Sequence, residues 1–221
     1  MKKPFLLLLF CCFSIYAEDE IYIQLGNEKA LLPICMSDIS FTKCPYSAAY
    51  IQVLWNVLQF DLSHNGMTKS LSGKARTDLI KKQPKEFPDF TLLQKELIPY
   101  YIQLSIQEKE LQAKLYTVQT RAVQHVAVSL KGDKKHDRAT IHKLSDALFK
   151  ALFKTPSISN SKILFTIKKK SGPDTGKSAL CICDYDGANV QHLTDYHTLI
   201  TCPQWFPSHK GCCLFVSYEI G

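Results

Sequence analysis

The run Lys162-Ile-Leu-Phe-Thr-Ile-Lys168 opens a series of short apolar segments that decides the fold of the C-terminal part of the chain. A second run, Ser178-Ala-Leu-Cys-Ile-Cys183, ends in the turn Asp184-Tyr-Asp-Gly187. Asp-Gly between two such runs is a strong hairpin signal. Residues 190–193 and 212–218 supply further short apolar segments at close spacing. This pattern predicts one blade of a β-propeller.

The same residues carry a resemblance to the repeat of the TolB propeller family. That repeat contains Asp-x-Asp-Gly, then Leu-Thr, then Pro-x-Trp-Ser-Pro-Asp-Gly before an apolar strand. The chain departs from it where Phe206 replaces the Ser and a longer loop, residues 207–211, replaces Pro-Asp-Gly. We expect Trp205 to anchor the core of the hairpin rather than to hold a ligand. The matching motif residues are Asp184, Asp186, Gly187, Pro203, Trp205 and Pro207.

The residues before the blade predict an α/β domain with a mixed sheet and three helices, followed by one propeller blade and the hairpin that starts a second. An alternating meander at 101–130 contributes three strands, and residues 72–90 are expected to form an exposed loop. A strand containing Pro33 is expected near a sheet edge. Predicted helices occupy 46–62, with Pro45 at its start, 89–97, capped by Asp89, and 137–153. The element order extends the resemblance to the domain before the TolB propeller.

The N-terminus has the pattern of a secretory signal peptide. Lys2 and Lys3 precede an apolar run at 5–13, and the small residue Ala17 suits a cleavage site. An uncleaved anchor is the alternative. Cleavage predicts a periplasmic protein with no membrane insertion. The expected divisions are a signal peptide at 1–17, the α/β domain at 18–155, a linker at 156–161 and the incomplete propeller at 162–221.

Composition and motifs disfavour several functions. The formal net charge of +7 comes from scattered lysines, without the arginine-rich stripe that nucleic-acid binding favours. Residues 171–178 lack the first glycine of a P-loop and precede a strand. There is no Gly-x-Ser-x-Gly motif, which argues against a serine peptidase. We expect no enzyme activity and no cofactor. No metal site is expected from the set Cys181, Cys183, His192, His197 and Cys202, because its spacing matches no usual zinc module.

The chain contains nine cysteines, of which Cys11 and Cys12 lie in the predicted signal peptide. An odd number remains, so not all can pair within the chain. The pairs Cys35 with Cys44, and Cys202 with Cys212 or Cys213, are conceivable in an exported protein. Cys181 and Cys183 lie on one face of a strand and are expected in the core.

The resemblance implies a non-enzymatic component of the Tol-Pal system, which maintains outer-membrane integrity and constriction during cell division. It implies Pal as a partner of the propeller and the TolA C-terminal domain as a partner of the N-terminal segment Glu20, Ile21, Tyr22, Ile23, Gln24 and Leu25. Such an alternating segment suits strand addition to a partner's sheet, but it equally suits an ordinary first strand. The alternatives are an exported hydrolase with a propeller cap and a generic sugar- or metal-binding protein.

Propeller closure takes about four to eight blades. The segment 162–221 supplies one blade and the start of another. We therefore expect a truncated TolB, in which the Pal-binding face is lost and the TolA-binding segment is kept.

Overall fold

The structure is a computed structural model that describes residues 31–207 and 211–218. The predicted signal peptide with its cleavage site, and the predicted strand Glu20–Leu25, lie outside the described residues. None of the helices in the described part of the chain combines the length and apolar character that crossing a bilayer requires.

Residues 31–155 form a unit with a mixed sheet, called here the α/β unit. Its strands are β1 (Leu32–Thr42), β2 (Thr68–Ser70), β3 (Tyr100–Gln107), β4 (Glu110–Thr117) and β5 (Ala122–Ser129). The strand order is β2-β1-β3-β4-β5. β1 runs parallel to β2 and β3, whereas β3, β4 and β5 form an antiparallel meander. The predicted meander and mixed sheet are confirmed.

Helices cover both faces of this sheet, because the strands bury apolar side chains on both sides. The helices are α1 (Ala48–His64), α2 (Gly73–Lys82), α3 (Phe90–Lys95) and α4 (Lys134–Phe153). Ile102, Leu104 and Ile106 of β3 pack with α1 and α4 in one buried cluster. Tyr101 and Tyr116 point the other way and pack with α2 and α3 in a second cluster. Alternation along the strands therefore produces a three-layer α/β unit.

The prediction of three helices and of a loop over 72–90 is wrong, because α2 lies inside that range. Leu79 is the buried residue of this helix, so its sequence lacks the apolar stripe that marks a core helix. Arg76 fixes its position instead. The guanidinium lies 4.5 Å from the ring centroid of Trp55, and Nε donates to the Met36 carbonyl at 3.0 Å.

Local hydrogen bonds correct the predicted start of α1. The helix begins at Ala48, because the Ser47 hydroxyl caps it by accepting from the Tyr50 N–H at 3.2 Å, and Pro45 lies before the cap. The predicted cap of α3 is confirmed, since the Asp89 carboxylate accepts from the Leu92 N–H at 3.1 Å.

The position of the first described strand also corrects the prediction. β1 lies inside the sheet, between β2 and β3, and not at an edge. Pro33 is tolerated because it sits at the start of the strand, opposite Lys69 of the three-residue strand β2.

Residues 162–218 form a second, all-β unit, called here the β unit. Its strands are β6 (Lys162–Lys168), β7 (Ser178–Asp184), β8 (Gln191–His192), β9 (Ile200–Trp205) and β10 (Cys213–Ser217). The first three form an antiparallel sheet and the last two a hairpin. The Ser178 hydroxyl joins them by donating to the Ile200 carbonyl at 2.8 Å. The predicted all-β architecture is confirmed, and the number of blades remains a prediction.

The predicted linker between the units is packed against the α/β unit. Ser159 is fully buried, and its hydroxyl oxygen lies 3.2 Å from that of Ser145 on α4. The short connection therefore limits how far the two units can separate.

The seven cysteines in the described part of the chain are free. Cys35 belongs to the buried cluster beside α2 and α3, whereas Cys44 packs against the cluster on the opposite face of the sheet. The conceivable Cys35–Cys44 pair is therefore absent. Cys213 lies opposite Trp205 in the hairpin, not opposite Cys202. Cys181, with 0% of its surface exposed, lies in the core as predicted.

We expect thiol reactivity to follow this burial. Burial raises the pKa of Cys35 to about 11, which keeps it protonated and unreactive at neutral pH. Brief maleimide labelling followed by peptide mass spectrometry should modify exposed Cys202 and Cys212 and leave Cys35 unmodified. Labelling in denaturant provides the control, in which all three should react. Native labelling of Cys35 as fast as that of Cys202 would contradict the burial described here.

Candidate functional site at the junction of the two units

Two helices of the α/β unit carry buried polar residues on the side that faces the β unit. Asp61, fully buried, lies one turn beyond Leu58 on the apolar face of α1. Arg138 and His142 lie one turn apart on α4, and His142 is 3% exposed. Buried charges are costly unless they are paired. Asp61 pairs with His142, whereas the turn between β7 and β8 supplies the partner of Arg138.

The Asp184-Tyr-Asp-Gly187 turn presents its carboxylates to these helices. Gly187 has φ +79°, a conformation that favours glycine, and its N–H donates to the Asp184 carbonyl at 2.9 Å. Asp186 Oδ1 accepts from the Ala188 N–H at 3.1 Å. The turn is thus closed by its own hydrogen bonds, and Asp186 Oδ2 remains available to the helices.

Asp186 and Arg138 form an ion pair between the units, in which Oδ2 accepts from the guanidinium. The two side chains are only 6% and 14% exposed. His142 lies beside this pair, with Nε2 3.8 Å from Asp186 Oδ2. Its other ring nitrogen, Nδ1, lies 2.8 Å from Asp61 Oδ2. A chain of polar contacts therefore runs from α1 through α4 to the β unit.

Asp184 completes what we call the junction cluster, namely Asp61, Arg138, His142, Asp184 and Asp186. Its carboxylate accepts from the Lys162 ammonium and, at 2.6 Å, from the side-chain amide of Asn189. Burial alone would raise the pKa of Asp184, but these two donors hold it below its usual value. Asp184 is therefore a carboxylate at neutral pH.

The pKa values of Asp61 and His142 are both raised by their surroundings. Burial raises the pKa of Asp61, and the hydrogen bond from His142 only partly offsets this. Burial also disfavours charged His142, but the bond to Asp61 and the nearby Asp186 and Asp184 carboxylates outweigh it and raise the pKa of His142. The pair therefore holds a proton more tightly than an exposed histidine does.

Tyr185 covers the edge of the cluster and makes its own contact between the units. Its hydroxyl donates to the His64 carbonyl, at the end of α1. Its ring lies edge-on to Phe60, with centroids 6.0 Å apart. All three side chains of the Asp-Tyr-Asp motif thus hold the turn or contact the α/β unit.

The remaining predicted motif residues lie elsewhere. Trp205 is 37% exposed, so the expectation of a core anchor is wrong. Its indole N–H donates to the Lys162 carbonyl at 3.3 Å, which ties the β9–β10 hairpin to β6. Pro203 lies within β9, and Pro207 follows that strand. The predicted partner-binding residues Glu20–Leu25 lie outside the described residues.

Sequence reasoning missed Asp61, Arg138 and His142. A signal was present, because Asp61 follows Leu54 and Leu58 on the apolar stripe of α1. On α4, Arg138 and His142 share helical spacing with buried Ser145. A charged residue at a buried helical position predicts a partner, but the sequence does not say which element supplies it.

The chain resembles TolB proteins both in sequence and in structure. The chain is 30% identical, over 92% of its length, to the "Protein TolB homolog" of Protochlamydia amoebophila and covers 45% of that relative. It is 25% identical, over 75% of its length, to the "Tol-Pal system protein TolB" of Cereibacter sphaeroides and covers 37% of it. The crystal structure of TolB from Acinetobacter baumannii matches 86% of the chain with TM-score 0.66 and 22% identity, and 45% of that structure is covered. No family model matches.

The fold defines the class as a two-part protein in which a three-layer α/β unit is joined to a unit of antiparallel sheets. The similarity to these relatives extends over most of the chain, so the resemblance recognised in the sequence is confirmed. The chain spans less than half the length of these curated relatives.

We expect removal of Asp186 to loosen the junction and to destabilise the protein. Asp186→Ala leaves Arg138 buried without its carboxylate, and breaking a buried ion pair from one side costs about 3–5 kcal/mol. Urea unfolding followed by circular dichroism should show this loss. Asp195→Ala is the matched control, because Asp195 is 88% exposed and should change little. Equal midpoints for the two variants would contradict a stabilising role for the pair.

Proposed function

We propose that the chain is a non-enzymatic binding protein of the Tol-Pal system that acts in the periplasm. The observation that carries this proposal is the similarity to a TolB homologue over 92% of the chain. The α/β unit followed by propeller-type sheets supports it, because a solved TolB structure has the same fold. In this role the protein contributes to outer-membrane integrity and to constriction at division.

The alternative of an exported hydrolase with a propeller cap gains no support from these relatives, all of which are TolB proteins. Binding rather than catalysis is also what the junction favours. Its charged residues are engaged with one another, since Asp186 pairs with Arg138 and Asp184 pairs with Lys162. Such mutual pairing suits a structural connection between two units.

The proposed partner of the N-terminal segment is the TolA C-terminal domain. Residues 20–25 alternate, with Ile21, Ile23 and Leu25 on one face. An extended segment can add as a strand to an exposed sheet edge, where backbone hydrogen bonds supply affinity and alternate side chains supply specificity. The segment is only a few residues from the described start of the α/β unit at Leu31. A partner bound there would lie close to that unit.

Pal is proposed as the partner of the propeller part. Closure of a propeller takes about four to eight blades. The described β unit contains strands β6 to β10, in a three-stranded sheet and a hairpin. We therefore expect a polypeptide of these 221 residues to bind Pal weakly when it is tested alone.

The TolA proposal is tested by changing the alternating face. In Ile21→Asp combined with Ile23→Asp, two apolar side chains that would enter the partner's sheet become charged. We expect binding to an immobilised TolA C-terminal domain to fall to background in surface plasmon resonance, because charges are poorly tolerated on a buried strand face.

The matched control carries the same chemical change on the exposed surface, as Leu97→Asp combined with Ile158→Asp. These side chains are 80% and 51% exposed. The control should bind as the parent does. Undiminished TolA binding by the Ile21 and Ile23 variant would refute the assigned segment, and failure of the parent chain to bind TolA would refute the proposed partner.

A further inference from the structure

Three potential metal ligands converge in the junction cluster from two different units. One ligand atom each from His142, Asp184 and Asp186 lies within 4.8 Å of the others. His142 belongs to α4, whereas both carboxylates belong to the turn after β7. We propose that these residues bind a divalent transition-metal ion of the Zn²⁺ type, which bridges the α/β unit and the β unit.

The orientation of His142 favours this assignment. Metal-bound histidines usually donate their second ring N–H to a carboxylate, a backbone carbonyl or a water molecule, and this hydrogen bond fixes the orientation of the ring. Here Nδ1 lies 2.8 Å from Asp61 Oδ2, and Asp61 is fully buried. Nε2 points to the two turn carboxylates and has no hydrogen-bond partner among the described residues, although the residue is only 3% exposed. An unpaired buried ring nitrogen is costly, and a metal ion that displaces any proton from it would satisfy it.

The three ligand groups suit a metal ion of intermediate softness such as Zn²⁺. One imidazole and two carboxylates are ligands that zinc accepts, with a fourth position left to water. Bonds of about 2 Å would bring the three ligand atoms to roughly 3.3 Å from one another. The observed separations of up to 4.8 Å therefore need a small closing movement of the side chains.

An entry path for the ion is present. A cleft of about 260 Å³ lies beside the junction, and Arg138 and Asp186 form part of its wall. The rest of the wall is Val53, Asn56, Val57 and Phe60 of α1. One of the three ligands, Asp186, therefore lies in the wall of the cleft, whereas His142 and Asp184 do not.

The ion must compete with two side-chain cations. Lys162 pairs with Asp184, and Arg138 pairs with Asp186. The Lys162 side chain is 47% exposed, so its ammonium group can return to water at little cost. Asn189 also donates to Asp184 and does not compete as a charge. Lys162 is therefore the side-chain cation that the ion displaces.

Titration of the full chain with Co²⁺ tests the site, because Co²⁺ takes the same ligands as Zn²⁺ and reports them by visible absorption. The parent should develop the absorption of a nitrogen and oxygen site, without the sulfur charge-transfer band that cysteine ligation would produce. His142→Gln and Asp186→Asn should abolish this absorption. Asp61→Asn should weaken binding about 10–100-fold, as is usual for a carboxylate that orients a ligand. His197→Gln is the matched control, because His197 is 80% exposed and should leave binding unchanged.

If the ligand variants fold poorly, the Lys162→Met variant provides a second test of the metal site. Removing the competing charge should tighten Co²⁺ binding by up to about five-fold. Lys177→Met is its matched control, because Lys177 is 41% exposed and pairs with Asp174, away from the cluster. Tightening in Lys162→Met alone supports the site. Absence of Co²⁺ binding by the parent, binding that His142→Gln and Asp186→Asn retain, or no difference between the two lysine variants would overturn it.

Discussion

The buried ion pair between Arg138 and Asp186 is the constraint on which the arrangement of the two units depends. Neither side chain reaches bulk water freely, so each carries a desolvation cost that the other largely offsets. The pair fixes the turn after β7 against α4. With the turn fixed, the β6–β7–β8 sheet has a defined orientation relative to the α/β unit, and the Tyr185 contact to the end of α1 follows from it.

This constraint gives the Asp-x-Asp-Gly motif two roles in this chain. Within the β unit the motif closes a hairpin, since Gly187 permits the left-handed backbone and Asp184 holds both Lys162 and Asn189. Toward the α/β unit it supplies the acceptor for Arg138. A residue that serves both purposes tolerates little substitution. A change at Asp186 that left the hairpin intact would still leave a buried guanidinium unpaired.

Much of the fold could be predicted from the sequence, because most of its helices and strands have a recognisable local sequence pattern. The meander was predictable from Leu111, Ala113 and Leu115, which alternate to one face and are buried. Helix α2 was not predictable in this way, because its buried residue is Leu79 and Arg76 holds the helix in place through contacts with other elements. Within the junction cluster, the two aspartates of the turn were found from the repeat motif in the sequence. Their partners on α1 and α4 were missed. Local patterns record burial and turn chemistry, but the pairing of Asp61 with His142 spans 81 residues and has no periodic signature.

The unpaired buried atoms at the junction distinguish it from an ordinary salt-bridge cluster. Nearly all buried polar atoms in native proteins are hydrogen-bonded, and each exception needs an explanation. Asp61 Oδ1, Arg138 Nε and His142 Nε2 are all buried without a hydrogen-bond partner among the described residues. Three such atoms in one cluster would be a substantial cost if the cluster served only to hold the units together, since an apolar contact would do so more cheaply. A cation that enters beside His142 would satisfy the unpaired Nε2, with the Lys162 ammonium leaving for solvent.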